Sequence, residues 1–187
     1  MNTVGLRACG QPRDKLRVFA DLVRWSKEAG LIPEGEALKL LTHSEAESNR
    51  ATKNLEEARG LREALFRIFE ALARKEPPAA ADIATLNEKL HAFPVRLEIC
   101  LHGRDFRCER KSVQADNDRL LGPIAWSAAD VLASDQVDHV RQCADAECGW
   151  LFVDATKNHS RRWCAMSDCG SHAKAKRYYQ RKKKMRQ

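Results

Sequence analysis

The sequence predicts a mainly α-helical fold with a small antiparallel β-hairpin and a compact four-cysteine module at the C-terminal end. Three observations support this prediction. Apolar residues recur at steps of three and four over most of the first 92 positions, alternate at every second position between residues 95 and 109, and then give way to a cluster of four cysteines between residues 143 and 169. A period of 3.6 is typical of helices, and a period of two is typical of strands.

Helical periodicity predicts four helices before the hairpin, at residues 14–29, 34–41, 44–75 and 80–92. Gly30 ends the first helix and Pro77-Pro78 ends the third, because neither residue type favours continuation of a helix. We expect Ser44 to cap the third helix, with Glu47 completing a capping box.

A hairpin and one further helix complete the helical part. Val95, Leu97, Ile99 and Leu101 alternate with polar residues, and after a turn containing Gly103 the alternation resumes. This pattern predicts two antiparallel strands, and Pro123 starts a helix over residues 123–132. The predicted domains are therefore residues 1–135, helical with a hairpin near residues 95–110, and residues 136–187, a small module that ends in a basic helix.

Positive charge is concentrated at the C-terminal end. Of the 33 Lys and Arg residues, eleven lie between positions 156 and 187 beside a single acid, Asp168, which gives a local charge of +10 against +7 for the whole chain. Such asymmetry predicts a polyanionic partner, with nucleic acid ahead of anionic lipid. A solvated tail without a partner is the alternative.

Composition excludes several classes of protein. Hydrophobic residues make up 43% of the chain, enough for a core, yet no apolar run is long enough to span a membrane. The first residues lack the apolar stretch of a secretory signal, so we expect a cytoplasmic protein with reduced thiols. We expect the three scattered cysteines, Cys9, Cys100 and Cys108, to be small buried residues.

Two close cysteine pairs are the strongest chemical signal. Four residues separate Cys143 from Cys148, four separate Cys164 from Cys169, and fifteen lie between the pairs. Such pairs are typical of closed tetrahedral zinc sites, and four thiolates suit this ion. We predict one structural zinc ion in a treble-clef-like finger, with buried unliganded cysteines as the alternative.

A catalytic zinc would require an open coordination position and a nearby base. Here four cysteines fill the four positions. Asp154 is the main candidate base, and His159 or His172 would have to replace a cysteine. We therefore predict a structural metal, no catalytic residue and no enzymatic activity.

The last predicted helix covers residues 171–184 and carries most of the local positive charge. Lys174, Arg177, Arg181 and Lys184 recur at steps of three and four and so share one face. Phosphate groups would offset their repulsion and make binding depend on salt. The candidate nucleic-acid-binding residues of this module are Arg161, Arg162, Lys174, Lys176, Arg177, Arg181 and Lys182.

These residues resemble a known family. The segment 142–183, with its four cysteines, the W-L-F-x-D strand and the R-R-W-C-x-M segment, is similar to the CGNR zinc finger. Asn2-Thr3 with Arg7, and residues 21–25, resemble the ABATE domain. The whole chain thus resembles bacterial stress-induced transcription regulators that combine an N-terminal ABATE domain with a CGNR finger.

The resemblance implies that the finger binds nucleic acid and that the helical domain senses a signal or mediates assembly. One departure concerns Ser171-His172, which stand where the family carries Asn-Arg. If the Asn-Arg pair contacts a partner, that contact is weakened here, and Ser171 could cap the helix instead.

Three classes of function remain open at this point. The first is a zinc-dependent DNA-binding transcriptional regulator, with RNA as the close alternative and with a small-molecule effector and a homodimer as open partners. The second is a small-molecule-binding protein or enzyme centred on the helical domain, with Asn2, Arg7 and Trp25 as pocket candidates. The third is an interaction protein that uses its basic tail as a docking arm. The sequence specifies neither the DNA target nor the effector.

Overall fold

The computed structural model describes residues 1–46, 48–112 and 120–184. The helices in these ranges are α1 (Phe19–Glu28), α2 (Glu34–Ala46), α3 (Ser48–Ala73), α4 (Ala80–Ala92), α5 (Gly122–Leu132) and α6 (Ser171–Lys184). Three antiparallel two-stranded ladders pair β1 (Val4–Gly5) with β2 (Arg13–Asp14), β3 (Val95–His102) with β4 (Asp105–Ser112), and β5 (Val140–Gln142) with β6 (Leu151–Val153). The mainly helical class with small antiparallel strand pairs is confirmed.

Two predicted helix starts are wrong. Helix α1 begins at Phe19 rather than at residue 14, because the Asp21 carboxylate accepts hydrogen bonds from the two backbone N–H groups just before the helix, at 2.9 and 3.1 Å. Ser44 lies inside α2, where its hydroxyl donates to the backbone carbonyl three residues earlier at 2.7 Å. Glu47, the other half of the predicted capping box, lies outside the described residues.

Helix α3 forms the centre of the hydrophobic core. Its buried face, which includes Leu61, Leu65 and Ile68, packs with apolar residues of α1, α4 and α5. Val140 of β5 and Leu151 of β6 belong to the same core. The strands beside the cysteine module therefore pack on the helical region.

A partly buried ion pair joins α3 to the N-terminal ladder. Arg62 as a residue is 8% exposed, and its guanidinium donates to both carboxylate oxygens of Asp14 at 2.8 Å, to Glu63 at 2.8 Å and to the Thr3 hydroxyl at 3.2 Å. Burial acts to raise the pKa of Asp14, but the hydrogen bonds from Arg62 and from the Leu16 N–H, together with the charges of Arg62 and Arg59, outweigh it, so the pKa is lowered. A carboxylate paired in this way keeps its charge to low pH.

The predicted hairpin is confirmed, with Val95 opposite Ser112 and His102 opposite Asp105. The expectation of buried scattered cysteines is wrong for Cys9 and Cys108, which are exposed, whereas Cys100 is half-buried. Among the described residues, no helix combines the length and the apolar character that crossing a membrane requires.

Candidate metal centre

The four clustered cysteines lie at the ends of short elements. Cys143 directly follows β5, and two residues separate Cys148 from the start of β6. Cys164 lies in the returning loop, and Cys169 lies in a π-helical turn, Met166–Gly170, that leads directly into α6. The site therefore fixes the start of the basic helix.

The geometry of the four sulfur atoms fits a tetrahedral zinc ion. All four Sγ atoms lie within 4.8 Å of one another, with 3.7 Å between Cys148 and Cys164 and 3.6 Å between Cys164 and Cys169. Four sulfurs at about 2.3 Å from one ion, at tetrahedral angles, would be about 3.8 Å apart. The cluster is thus close to the size that the ion requires.

Three of the four thiols hold their protons more tightly than an ordinary cysteine does. Burial raises the pKa of Cys148 to about 12 and also raises the pKa of Cys164 and of Cys169. Burial acts in the same direction on Cys143, but backbone N–H groups of Asp145 and Cys164 donate to its sulfur and lower its pKa. Since zinc binds thiolates, the ion has to displace several protons.

Backbone hydrogen bonds hold the first cysteine pair and connect it to the segment that carries the second pair. The Cys143 N–H donates to the Trp150 carbonyl at 2.8 Å, and the Ala144 N–H donates to the Arg162 carbonyl at 2.8 Å. The Arg161 side chain donates to the backbone carbonyls of Trp163, at 2.9 Å, and of Cys164, and its guanidinium lies 4.5 Å from the centre of the Phe152 ring. Arg161 therefore holds the second pair in place through its side chain.

Asp154 organises the loop between the pairs. Its side chain has no exposed surface and accepts hydrogen bonds from the Thr156 hydroxyl at 2.6 Å, the Thr156 N–H at 3.0 Å and the Arg161 N–H at 2.8 Å. The hydrogen bond from the Thr156 hydroxyl is the main reason why the pKa of Asp154 is lowered. These hydrogen bonds indicate that Asp154 has a structural role in the loop.

The two histidines considered as substitute ligands lie outside the cysteine cluster. The His159 ring stacks on His139, with 3.7 Å between ring centroids, and its Nδ1 lies 2.9 Å from the Asp154 carbonyl oxygen. His172 is exposed on α6, with its Nδ1 3.8 Å from an oxygen of Asp168. Within the described residues, the metal-compatible cluster consists of the four cysteines alone.

Asn2 connects the N-terminal segment to the cysteine module. Its side-chain amide donates to the Leu151 carbonyl at 2.7 Å and accepts from the Leu151 N–H at 3.2 Å, as a neighbouring strand would do. The Trp150 indole N–H donates to the Val4 carbonyl at 2.8 Å. Sequence reasoning gave Asn2 as a pocket candidate and missed this contact, because the partners are 149 residues apart.

Arg7 occupies the same interface. Its guanidinium donates to both carboxylate oxygens of Glu63 at 2.7 and 3.0 Å and lies 4.0 Å from the centre of the Phe66 ring, while its backbone N–H donates to the Cys148 carbonyl at 3.3 Å. Gly149 has φ +67°, and an added Cβ there would lie 2.9 Å from the Arg7 Cβ. Arg7 thus connects Cys148 of the metal cluster to helix α3.

Trp25, the third pocket candidate, lines a cavity of about 260 Å³ between the helical region and the finger. The walls include Phe69 of α3, Val131 of α5 and Leu151 and Val153 of β6. Asn2 and Arg7 are not among its lining residues. The three candidates are therefore not brought together in one pocket.

All seven predicted nucleic-acid-binding residues, including Arg161, are exposed. Lys174, Lys176, Arg177, Arg181 and Lys182 lie along α6, and all five are exposed. Arg162 is also exposed, with its guanidinium 5.3 Å from the centre of the Trp163 ring. The hydroxyl of Ser171, which was considered as an alternative cap of the helix, donates to the Met166 carbonyl at 3.1 Å.

The fold and the site together define a zinc-finger protein with a larger helical region. A family model named ABATE and described as "Putative stress-induced transcription regulator" matches residues 1–135, and a model of the CGNR zinc finger matches residues 139–182. The chain belongs to the ABATE family and carries a CGNR finger, as its sequence resemblance indicated. Neither family is of an enzyme type, and comparison with curated proteins found no match. The clustered cysteines and the finger family support structural zinc binding.

Proposed function

We propose that this protein is a zinc-dependent, DNA-binding transcriptional regulator in which α6 contacts the phosphate backbone. The supporting observation is the composition and exposure of α6. Five exposed cationic residues follow directly from the metal centre, and the 14 residues of the helix include no acid. A helix that is cationic and exposed gains more from phosphate contacts than from packing on its own protein.

The zinc ion would act by holding α6 in one orientation. Cys169 is separated from the first residue of the helix by Gly170 alone, so that loss of the ion frees the start of the helix. An α-helix fits the major groove of B-form DNA, and lysine-rich helices contact the backbone more often than base edges. RNA is the alternative nucleic acid.

The helical region supplies the proposed sensing function. The apolar cavity beside Trp25 has walls from α1, α3 and α5 on one side and from β5 and β6 on the other. A small apolar effector bound there would contact both the helical region and the strands that lead to the cysteine pairs. We propose residues 1–135 as the sensing domain and residues 136–187 as the nucleic-acid-binding domain.

Selection of fragments from a random duplex DNA pool, with and without a zinc chelator, tests this function. We expect the zinc-loaded chain to retain DNA and the chelated chain to lose it. Single-stranded RNA offered in competition separates the two nucleic acids. Absence of binding by the zinc-loaded chain at low salt would exclude the proposal.

A further inference from the structure

The β3–β4 hairpin displays an exposed apolar face. Leu97 is 63% exposed, Ile99 70%, Leu101 63% and Phe106 75%. The register places Leu101 opposite Phe106 and Ile99 opposite Cys108, so all these side chains lie on the same face of the ladder. The alternation that predicted the strands therefore creates an apolar surface outside the core.

The size of this face is unusual for an isolated chain. Four large side chains with these exposed fractions present roughly 500 Å² of apolar surface, near the upper end for the largest patch of a monomeric protein. A two-stranded hairpin is also only marginally stable in water without a covering layer. Both arguments indicate that another layer covers this hairpin in solution.

The opposite face of the hairpin is polar, which determines the side on which the covering layer lies. Glu98, His102 and Glu109 lie there, with His102 Nε2 2.6 Å from a Glu109 oxygen. The apolar face carries one described cation at its base, Arg110. This guanidinium donates to both carboxylate oxygens of Asp130 and is therefore already neutralised by α5.

We propose that the apolar face of the hairpin binds the same face of a second copy of this chain. Stacked about a two-fold axis, two hairpins form a small four-stranded sandwich whose layers are about 10 Å apart. The two faces together would bury roughly 1,000 Å² or more, which is the lower limit for a specific interface. Because Arg110 is paired within its own chain, the two faces bring no unpaired like charges together.

A second copy is favoured over an unrelated partner by the character of the surface. The face offers rows of aliphatic side chains and one ring, and its one described charge is satisfied internally. Such a surface requires only an equally apolar face, and a second copy supplies one of identical length and register.

The test is the mass of the full zinc-loaded chain in solution, measured by light scattering and sedimentation over a range of concentrations. We expect the wild-type chain to reach twice the chain mass of 21.2 kDa. The double variant Ile99→Thr with Phe106→Thr should weaken self-association by roughly a hundredfold or more, because four apolar side chains per dimer are lost from the interface. Threonine keeps a high strand propensity, so the hairpin itself should persist.

Arg107→Thr is the matched control, since Arg107 is exposed on the polar face of the same hairpin. It should leave the dimer unchanged. A wild-type chain that remains monomeric at about 100 μM would overturn the proposal. A double variant that still dimerises as tightly as wild type would also overturn it. Hydrogen exchange of the hairpin amides would verify that the double variant is folded.

Discussion

Neutralising one face of α6 should reduce the salt dependence of DNA binding by a calculable amount. Lys174, Arg177 and Arg181 lie at steps of three and four on an exposed helix. The seven steps from Lys174 to Arg181 cover about 10 Å along the helix axis, which matches the axial rise of about three phosphates on one DNA strand. Each phosphate contact contributes about −0.9 to the slope of log K against log salt, so changing all three to Gln should reduce the magnitude of this negative slope by about 2.7.

The assay is fluorescence anisotropy of a labelled duplex titrated with zinc-loaded protein between 50 and 200 mM salt. Over this fourfold range, a slope difference of about 2.7 means that wild-type affinity falls roughly fortyfold more than the affinity of the variant. Glutamine is a good helix former, so α6 should remain helical, as circular dichroism would verify.

Three exposed cations outside the finger provide the control. Lys39, Lys53 and Arg104 can be changed to Gln together, which removes the same charge from the helical region and the hairpin turn. This variant should keep the wild-type slope to within about one contact. If both triple variants reduce the magnitude of the slope equally, binding depends on net charge and not on α6, and the reasoning is refuted.

Further predictions concern packing, metal loading and pH. Gly149→Ala should destabilise the fold by about 1–2 kcal/mol because of its positive φ, and by more because the added Cβ meets Arg7. Gly30→Ala has φ +72° and no atom within 4 Å of the added Cβ, so it should show only the contribution of the positive φ. Thermal melting of both variants measures the difference. Zinc binding should release about three or more protons near pH 7, because three of the four thiols have raised pKa values, and calorimetry in buffers of different ionisation enthalpy counts them. The hydrogen bonds from Arg7 lower the pKa of Glu63, and the pKa of Asp14 is also lowered. The stabilisation that these two carboxylates contribute is therefore complete above about pH 4.5 and is lost as the pH falls through their lowered pKa values. Urea titrations that give the same free energy of unfolding at pH 7 and at pH 3 would contradict this.

The parts of the molecule that the sequence could predict are those determined by neighbours in the chain. The two cysteines of each pair are separated by only four residues, so the pairing that predicted a metal site follows from spacing alone. The hairpin follows from alternation and the Gly103 turn in the same way. The start of α1 could not be placed, because it depends on the Asp21 carboxylate accepting from backbone N–H groups three and four residues earlier in a loop.

Contacts between distant segments were beyond sequence reasoning. Asn2 was recognised as a polar residue of a family pattern, but its partner Leu151 is 149 positions away. Arg161 was counted with the nucleic-acid-binding cations, although its guanidinium donates to carbonyls of the second cysteine pair. Alternation along β3 predicted a strand but could not tell whether the apolar face is covered, since covering is a property of the tertiary or quaternary structure.

The shared core has a practical consequence for dissecting the molecule. Val140 and Leu151 are 3% and 2% exposed only because α3 and its neighbours cover them. A fragment cut at the family boundary near residue 139 would leave these side chains in water, and the remaining helical piece would lose part of its own interior. Metal occupancy and melting of the helices should therefore be linked thermodynamically, so that titrating zinc into the intact chain raises its melting temperature by mass action.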